Sequence, residues 1–405
     1  MRIIGMISGT SFDAVEALLA DLELDGDRLV CDLVEHRSVA YPASVRHDIS
    51  AILPPSPTTI EQVCRLDVAI GQFFGDVAKD LADAHGGVDA ICSHGQTVYH
   101  WVEGAAARGT LQLGEPAWIA ERTGAAVISD VRNRDIAAGG HGAPLASLLD
   151  VLLLGPSPAT ACGSLNLGGI ANVTVLGPGR EPLAFDIGPS NALIDAAVEM
   201  LTEGAKGFDR DGAWAARGRA DAALVESLLD DPYFALPAPK STGKEYFNLG
   251  YVTKRLEGRE ISAEDLLASL TVTTAESVAA AIRPFHVTEL IVAGGGTRNL
   301  TLMAELQARL PGVKMRRTDE LGVPEAGKEA LIFAIIGFLT LHGLPATVPS
   351  CTGAARSSVL GSVTPGRAPL AALLAPAQKG QAQTGEAQAP QAPTRLVVRS
   401  PLLPA

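Results

Sequence analysis

The chain is short of several things whose absence narrows what it can do. Of its 405 residues only five are cysteine and 4% are aromatic. Cys31, Cys64, Cys92, Cys162 and Cys351 are scattered, form no CxxC pair and stand near no histidine at ligand spacing. Neither a disulfide frame nor a zinc site is expected, and the thiols read as reduced core residues. Positive charge is scarce as well: 32 Lys and Arg against 45 Asp and Glu leave a net charge of −13, with no basic cluster. That excludes the electrostatic footprint of a nucleic-acid or anionic-membrane binder, so any phosphate must be gripped by local backbone and metal. The longest strongly apolar run, Ala330 to Leu341, falls short of the ~20 residues that span a bilayer. The opening MRIIGMISGTS is too short for a secretory signal, and the chain reads as cytoplasmic. Also missing are the GxxxxGK[ST] loop of the P-loop enzymes and the HRD and DFG sets of protein kinases. Gly294, Gly296 and Asn299 lack the last glycine of the dinucleotide fingerprint.

What is present is an alternation of short apolar runs with longer segments of helical period, the pattern of an α/β protein. Strands are expected at Ile3 to Ile7, Ala90 to Ser93, Ala126 to Asp130, Ser164 to Leu167, Val173 to Leu176, Leu183 to Asp186 and Glu289 to Ala293. Helices are expected at Ile60 to Ala84, Ala192 to Thr202, Ala220 to Leu229, Ala263 to Ile282, Leu300 to Leu310 and Glu325 to Leu341. Two stretches read alike, IIGMISGTSFDAVEALLADL and SLNLGGIANVTVLG: strand, glycine-bearing turn, strand. A third glycine turn, AGGGTRN, separates a strand from a helix. Where no Cβ intervenes, amide N–H groups can approach phosphates. Two duplicated ribonuclease-H-like domains of the actin and hexokinase type, around an ATP cleft, are the expectation. Residues 1–155 would form the first, with 352–363 packed on it, and 156–351 the second. The Ala-, Pro- and Gln-rich tail, 366–405, lacks the apolar content to order itself and is expected to be disordered.

Ten motifs in fixed order sharpen this reading. They are GMISGTSFD, SHGQT, DVRNRDIAAGGHGAPL, LNLGGIAN, FDIGPSN, FDRDGAWA, PKSTGKEYFN, AGGGTRN and TGAARSSVLG, with LQLGEP among them. From about Ile4 to Val363 the chain resembles the anhydro-N-acetylmuramic acid kinases, members of the sugar-kinase and actin-like superfamily. The resemblance implies a transferase of cell-wall recycling: ATP and water convert 1,6-anhydro-N-acetylmuramic acid into N-acetylmuramic acid 6-phosphate, with Mg²⁺ as cofactor. It also suggests a homodimer. A kinase of another amino sugar on the same fold, or a non-catalytic ATP-binding regulator, are the alternatives.

The resemblance also implies residue roles. Asp186 in FDIGPSN is the base that activates water, although an Asp there would equally suit a turn or helix cap. ATP is assigned to Gly9, Thr10, Ser11, Phe12, Asp13, Ala14, Val15 and Glu16 of the first hairpin, Gly168 and Gly169 of the second, and Gly294, Gly295 and Gly296 of the third turn. Asp13 would organise Mg²⁺ through water. The sugar is assigned to His94, Gln96, Arg132, Arg134, Asp135 and Glu329, with one of the two arginines on the lactyl carboxylate and the other in an ion pair with Asp130 or Asp135. Two departures from the family text stand out. Ala14 occupies a position usually held by glycine, with Glu16 nearby, and is expected to cost strain or distance in the phosphate turn. Glu115 replaces a more usual Asn.

Overall fold

The computed structural model describes residues 1–9, 11–104, 106–155, 159–370, 373 and 391–402. Its strands are β1 (Arg2–Ser8), β2 (Ala14–Asp25), β3 (Arg28–Ala40), β4 (Ala90–Glu103), β5 (Ala106–Leu113), β6 (Ala126–Ser129), β7 (Cys162–Leu167), β8 (Ile170–Gly177), β9 (Arg180–Pro189), β10 (Glu289–Ala293), β11 (Lys314–Arg317), β12 (Ser362–Thr364) and β13 (Arg395–Ser400). The helices that bear on the site are α1 (Ile60–Ala84), α2 (Asn191–Leu201), α3 (Ala263–Ile282), α4 (Leu300–Arg309) and α5 (Lys328–Leu341).

Two units divide the chain, one from 1–155 with 321–405, the other from 156–320. In the first, the sheet runs β12-β6-β4-β1-β2-β3-β13, with β5 hung on β4 as a hairpin arm. Strands β1, β2 and β3 form an antiparallel meander, β4 lies parallel to β1 and β6 parallel to β4. In the second, the order is β11-β10-β7-β8-β9, again an antiparallel meander of three followed by two parallel strands. With the arm and the edge strands β12 and β13 set aside, both sheets read third, second, first, fourth, fifth, in the same directions. The ribonuclease-H-like unit therefore occurs twice, as the repeated hairpins predict.

Alternation along β1 shows why both its faces must be covered. Ile4 and Met6 point into a core shared with Ile70, Phe74 and Leu81 of α1, while Ile3 and Ile7 point into one shared with α5. Helix α1 begins where sequence dictates: Thr59 and Gln62 close a reciprocal capping box. Helix α5 is buried along nearly its whole length, which accounts for its uninterrupted apolar run. It lies so near the sheet that a Cβ on Gly5 would stand 2.0 Å from the Ala330 carbonyl oxygen and 2.3 Å from the Ala334 nitrogen. Gly337, on the helix, comes as close to Cys92 of β4, where an added Cβ would stand 2.7 Å from that residue's Cβ. At the helix start, the Lys328 ammonium meets Asp150 at 2.8 Å in a buried ion pair.

Several expectations need correction. Helix α5 packs on β1, β2 and β4, so the second unit ends at Glu320 rather than at 351. The tail is not uniformly unstructured: Arg395–Ser400 pairs parallel with β3, and Arg399 bonds Asp32. Average composition hid it, because RLVVRS holds both valines of the tail; most of the tail between residues 371 and 390 lies outside the described residues. Cys64 is exposed on α1, whereas the other four thiols are buried as expected. Ala263–Phe285 is long and apolar enough to cross a membrane, contrary to the limit set by Ala330 to Leu341, but it is 72% buried within the protein. Leu266 and Leu270 of α3 fill one core of the second unit and Val278 and Ile282 another.

A methyl group at Gly5 would meet helix backbone, which cannot rotate away. Gly5→Ala is expected to lower unfolding free energy by about 3 kcal/mol or more, read as a fall in urea midpoint. Gly295→Ala, where nothing lies within 4 Å of the added Cβ, should stay within about 1 kcal/mol.

Candidate active site

In the first unit the β1–β2 turn is held from below. Ser8 Oγ donates to Gln96 Oε1, and Gln96 Nε2 donates to the carbonyls of Gly9 at 3.2 Å and Thr97 at 3.1 Å. Gln96 is 1% exposed, so its role here is to fix the turn, not to face a sugar as the sequence suggested. Beyond Gly9, Phe12 returns an N–H to the Gly9 carbonyl at 3.1 Å. The positive φ in this turn, 40°, belongs to Phe12 and not to Ala14, which is ordinary strand paired with Ala40. The expected strain at Ala14 is therefore absent. Thr10 lies outside the described residues.

Asp13 is exposed, and its Oδ1 accepts from Ser11 Oγ at 2.7 Å and from the Ala14 N–H at 3.0 Å. Oδ2 has no protein partner among the described residues. One hard carboxylate oxygen beside a turn is the donor set Mg²⁺ uses when phosphates and water supply the rest. No group of three or more His, Cys, Asp or Glu able to hold a metal exists among the described residues. Val15 is fully buried, and Glu16 is engaged by His36 at 2.7 Å and by Ser38. Their side chains serve the sheet, which corrects their assignment to ATP.

The sugar candidates form a chain of contacts around Arg132. His94 is 4% exposed and stacks on Phe333, with ring centroids 4.7 Å apart. Its Nδ1 faces the Gly95 carbonyl at 3.0 Å and its Nε2 accepts from Arg132 Nε at 2.7 Å, so the ring is neutral. Burial and the adjacent guanidinium both push its pKa well below the ordinary histidine value. Arg132 Nη1 donates to the Gly142 carbonyl at 2.6 Å. Burial lowers its pKa to about 10, against the pull of Glu329 and Asp135, and it stays charged at neutral pH. Glu329, in the first turn of α5, is solvent-accessible, raised by desolvation and opposed by Arg132. Arg134 is exposed. Neither arginine pairs with Asp130, which accepts from Asn133 at 2.6 Å. Asp135 is fully buried, with Oδ2 on the Gly142 N–H and Oδ1 on Thr352 Oγ1, both at 2.8 Å. It is a structural carboxylate, and the assignment to substrate is corrected.

In the second unit the β7–β8 turn is built on Gly168 and Gly169. The Gly168 carbonyl accepts from the Asn191 N–H at 3.0 Å and Nδ2 at 2.9 Å, and the Gly169 carbonyl accepts from Ser190 and Ala192. With its oxygens tied to the start of α2, the turn leaves the Gly168 and Gly169 amides without a partner among the described residues. The third turn packs against it: an added Cβ on Gly294, φ 89°, would stand 2.7 Å from the Leu167 carbonyl, and one on Gly296 2.7 Å from Leu167 Cβ. Only Gly295 of the three faces open space. Asn299 caps α4 through the Leu302 N–H at 2.9 Å.

Asp186 lies on β9. Its backbone N–H donates to the Lys240 carbonyl, its own carbonyl accepts from Tyr233 Oη, and its Oδ2 accepts from Ser241 Oγ at 2.8 Å and the Thr242 N–H at 3.0 Å. Oδ1 has no partner among the described residues. Desolvation raises its pKa, the Thr242 and Ser241 donors lower it, and Glu245 raises it further. The helix-cap alternative fails, because Oδ2 bonds to 241–242 and neither oxygen bonds to α2. Sequence reasoning missed Ser241, Thr242 and Asn191 as orienting groups. All three stand inside motifs it had quoted, PKSTGKEYFN and FDIGPSN. Glu115 is resolved as the cap of the helix Pro116–Thr123, accepting from the Ala117 N–H at 3.0 Å.

The Ser241 bond favours the charged carboxylate, so Ser241→Ala should raise the Asp186 pKa, seen as a later midpoint in a ¹³C-carboxyl NMR titration. An unmoved midpoint would count against the bond. Ala14→Gly should yield no gain in activity and a stability loss of up to about 1 kcal/mol by thermal unfolding, since it only loosens a strand.

A sequence model of the family described as anhydro-N-acetylmuramic acid kinase matches residues 1–366. Curated relatives include the anhydro-N-acetylmuramic acid kinase of Streptomyces coelicolor, 55% identical over 91% of this chain and 95% of its own. That of Rhodococcus erythropolis is 51% identical over 90% and 94%. Among solved structures, an activator of 2-hydroxyisocaproyl-CoA dehydratase from Clostridium difficile with bound ADPNP matches more loosely, with a TM-score of 0.41 and 12% identity over 84% of this chain and 94% of its own. Similarity of this extent to the curated kinases, end to end, makes the chain a member of the anhydro-N-acetylmuramic acid kinase family.

Proposed function

We propose that this kinase opens 1,6-anhydro-N-acetylmuramic acid with water and phosphorylates the freed O6 from ATP in the cytoplasm, in cell-wall recycling. The observation that carries the reading is the state of Asp186: raised by desolvation, with one oxygen held by Ser241 and Thr242 and the other uncommitted. A general base wants this, a carboxylate whose proton affinity is lifted and whose free lone pair is aimed by bonds on its partner oxygen. Asp186 takes a proton from water, the water oxygen attacks C1, and the C1–O6 bond breaks. O6 then attacks the γ-phosphorus of ATP, and ADP leaves.

The groups of the first unit fit supporting roles. Arg132, already fixed through Nε and Nη1, keeps Nη2 for the lactyl carboxylate; this replaces a free bidentate fork with a pre-positioned single arm. Glu329 balances that charge and suits a sugar hydroxyl. The β1–β2 turn, with Gly9 and Ser11, offers donors to phosphate oxygens. Mg²⁺, held through Asp13 and water, neutralises charge on the triphosphate when bound.

Pure protein with Mg·ATP and the anhydro sugar, run in ¹⁸O-water and stopped early, should give a product labelled at C1 alone, detected by mass. Label in the phosphate ester bridge, or turnover only of the non-anhydro sugar, would overturn the reading. Asp186→Asn should lower turnover by ~10² to 10⁴ with nucleotide and sugar affinity nearly intact. Its melting temperature should not fall, because a carboxylate with a raised folded pKa costs stability when ionised, above that pKa.

A further inference from the structure

The segment that orients Asp186 continues onto the second glycine turn. After Ser241 and Thr242 the chain reaches Lys244, whose stem lies across Gly169: an added Cβ there would stand 2.3 Å from Lys244 Cε and 3.2 Å from its Nζ. The lysine is exposed and has no hydrogen bond or ion pair among the described residues. Its charge is nonetheless felt nearby, since it is the group that lowers the pKa of Asp195 on α2 against desolvation and Glu199. The ammonium thus lies within electrostatic reach of Asp195 without bonding to it.

Those facts leave an ammonium with no hydrogen bond or ion pair among the described residues, lying over a turn whose carbonyls are bonded to the start of α2 and whose glycine amides have no partner among the described residues. We propose that Lys244 is a phosphate-binding residue, completing with the Gly168 and Gly169 amides a cradle for the phosphate chain of the nucleotide. The inference rests on the nucleotide-dependent reading above. The lysine stem lies where a side chain at 169 would stand, and φ at Gly169 is not in the left-handed region. One segment, 240–244, then serves both the base and the phosphate: it bonds Asp186 with three groups and brings the ammonium to the turn with a fourth.

The test compares ADP with adenosine by calorimetry on the full chain, without sugar. An ion-paired hydrogen bond of ordinary strength predicts that Lys244→Met weakens ADP roughly 10- to 100-fold and leaves adenosine unchanged. Lys244→Arg should recover part of the ADP affinity, since it restores charge at a similar reach. Equal weakening of ADP and adenosine would reduce Lys244 to a structural role and overturn the proposal, as would unchanged ADP affinity in Lys244→Met. Wild-type protein that binds ADP but fails to turn over the anhydro sugar would sink the function proposed above and leave this inference standing, while wild type that binds neither nucleotide would overturn both.

Discussion

Helix α5 touches the first sheet backbone to backbone, and most of what matters in that unit follows from it. The approach is permitted by two missing side chains, at Gly5 on the sheet and Gly337 on the helix. Because β1 runs straight from this contact into Ser8 and Gly9, the position of the β1–β2 turn is set by how deeply the helix seats. Because Glu329 stands in the first turn of the same helix, its distance from Arg132 is set there too. The buried Lys328–Asp150 pair pins the helix start; such a pair adds little net stability but punishes any misplacement of its ends. A single packing event thus fixes two groups that belong to different parts of the sequence.

Around this frame, electrostatics are arranged by environment more than by net charge. The chain carries an excess of 13 negative charges, yet the shifted groups of the candidate site are a histidine kept neutral, an arginine pulled down and two carboxylates, Asp186 and Glu329, pushed up. Each of those states opposes the stability the same residue would have in water. Folded proteins tolerate such costs where function needs them, and the surrounding cores of both units supply the compensation.

Much of this architecture was readable from residues alone. Helices Ile60–Ala84 and Ala263–Ile282 and strand Glu289–Ala293 match their expected bounds, because capping chemistry and strong periodicity act locally. The repeated hairpins announced the repeated unit. Illegible were features decided by partners distant in sequence. Nothing in EAGKEALIFAIIGFLTL says which unit the helix joins, and nothing in SHGQT says that Gln96 is spent on Ser8 and Gly9 while His94 is spent on Arg132. Motif text marks residues as important without separating those that meet a ligand from those that hold the ones that do. Asp135 and Val15 belong to the second kind, as burial makes plain.

The first unit is also interrupted. Its sheet is begun by residues near the amino terminus and finished by β12 and β13, with all five strands of the second sheet encoded in between. During synthesis, a ribosome delivers 156–320 as one uninterrupted block, able to close its own cores as soon as it emerges. The amino-terminal strands must wait. Until α5 is released, Ile3, Ile7 and Cys92 lack the cover that α5 gives them, and the nascent chain carries part of that apolar surface open through the time needed to translate well over a hundred further codons. The later unit therefore matures before the earlier one, and a chain truncated ahead of α5 would be a target for chaperones and proteases, not a smaller working domain.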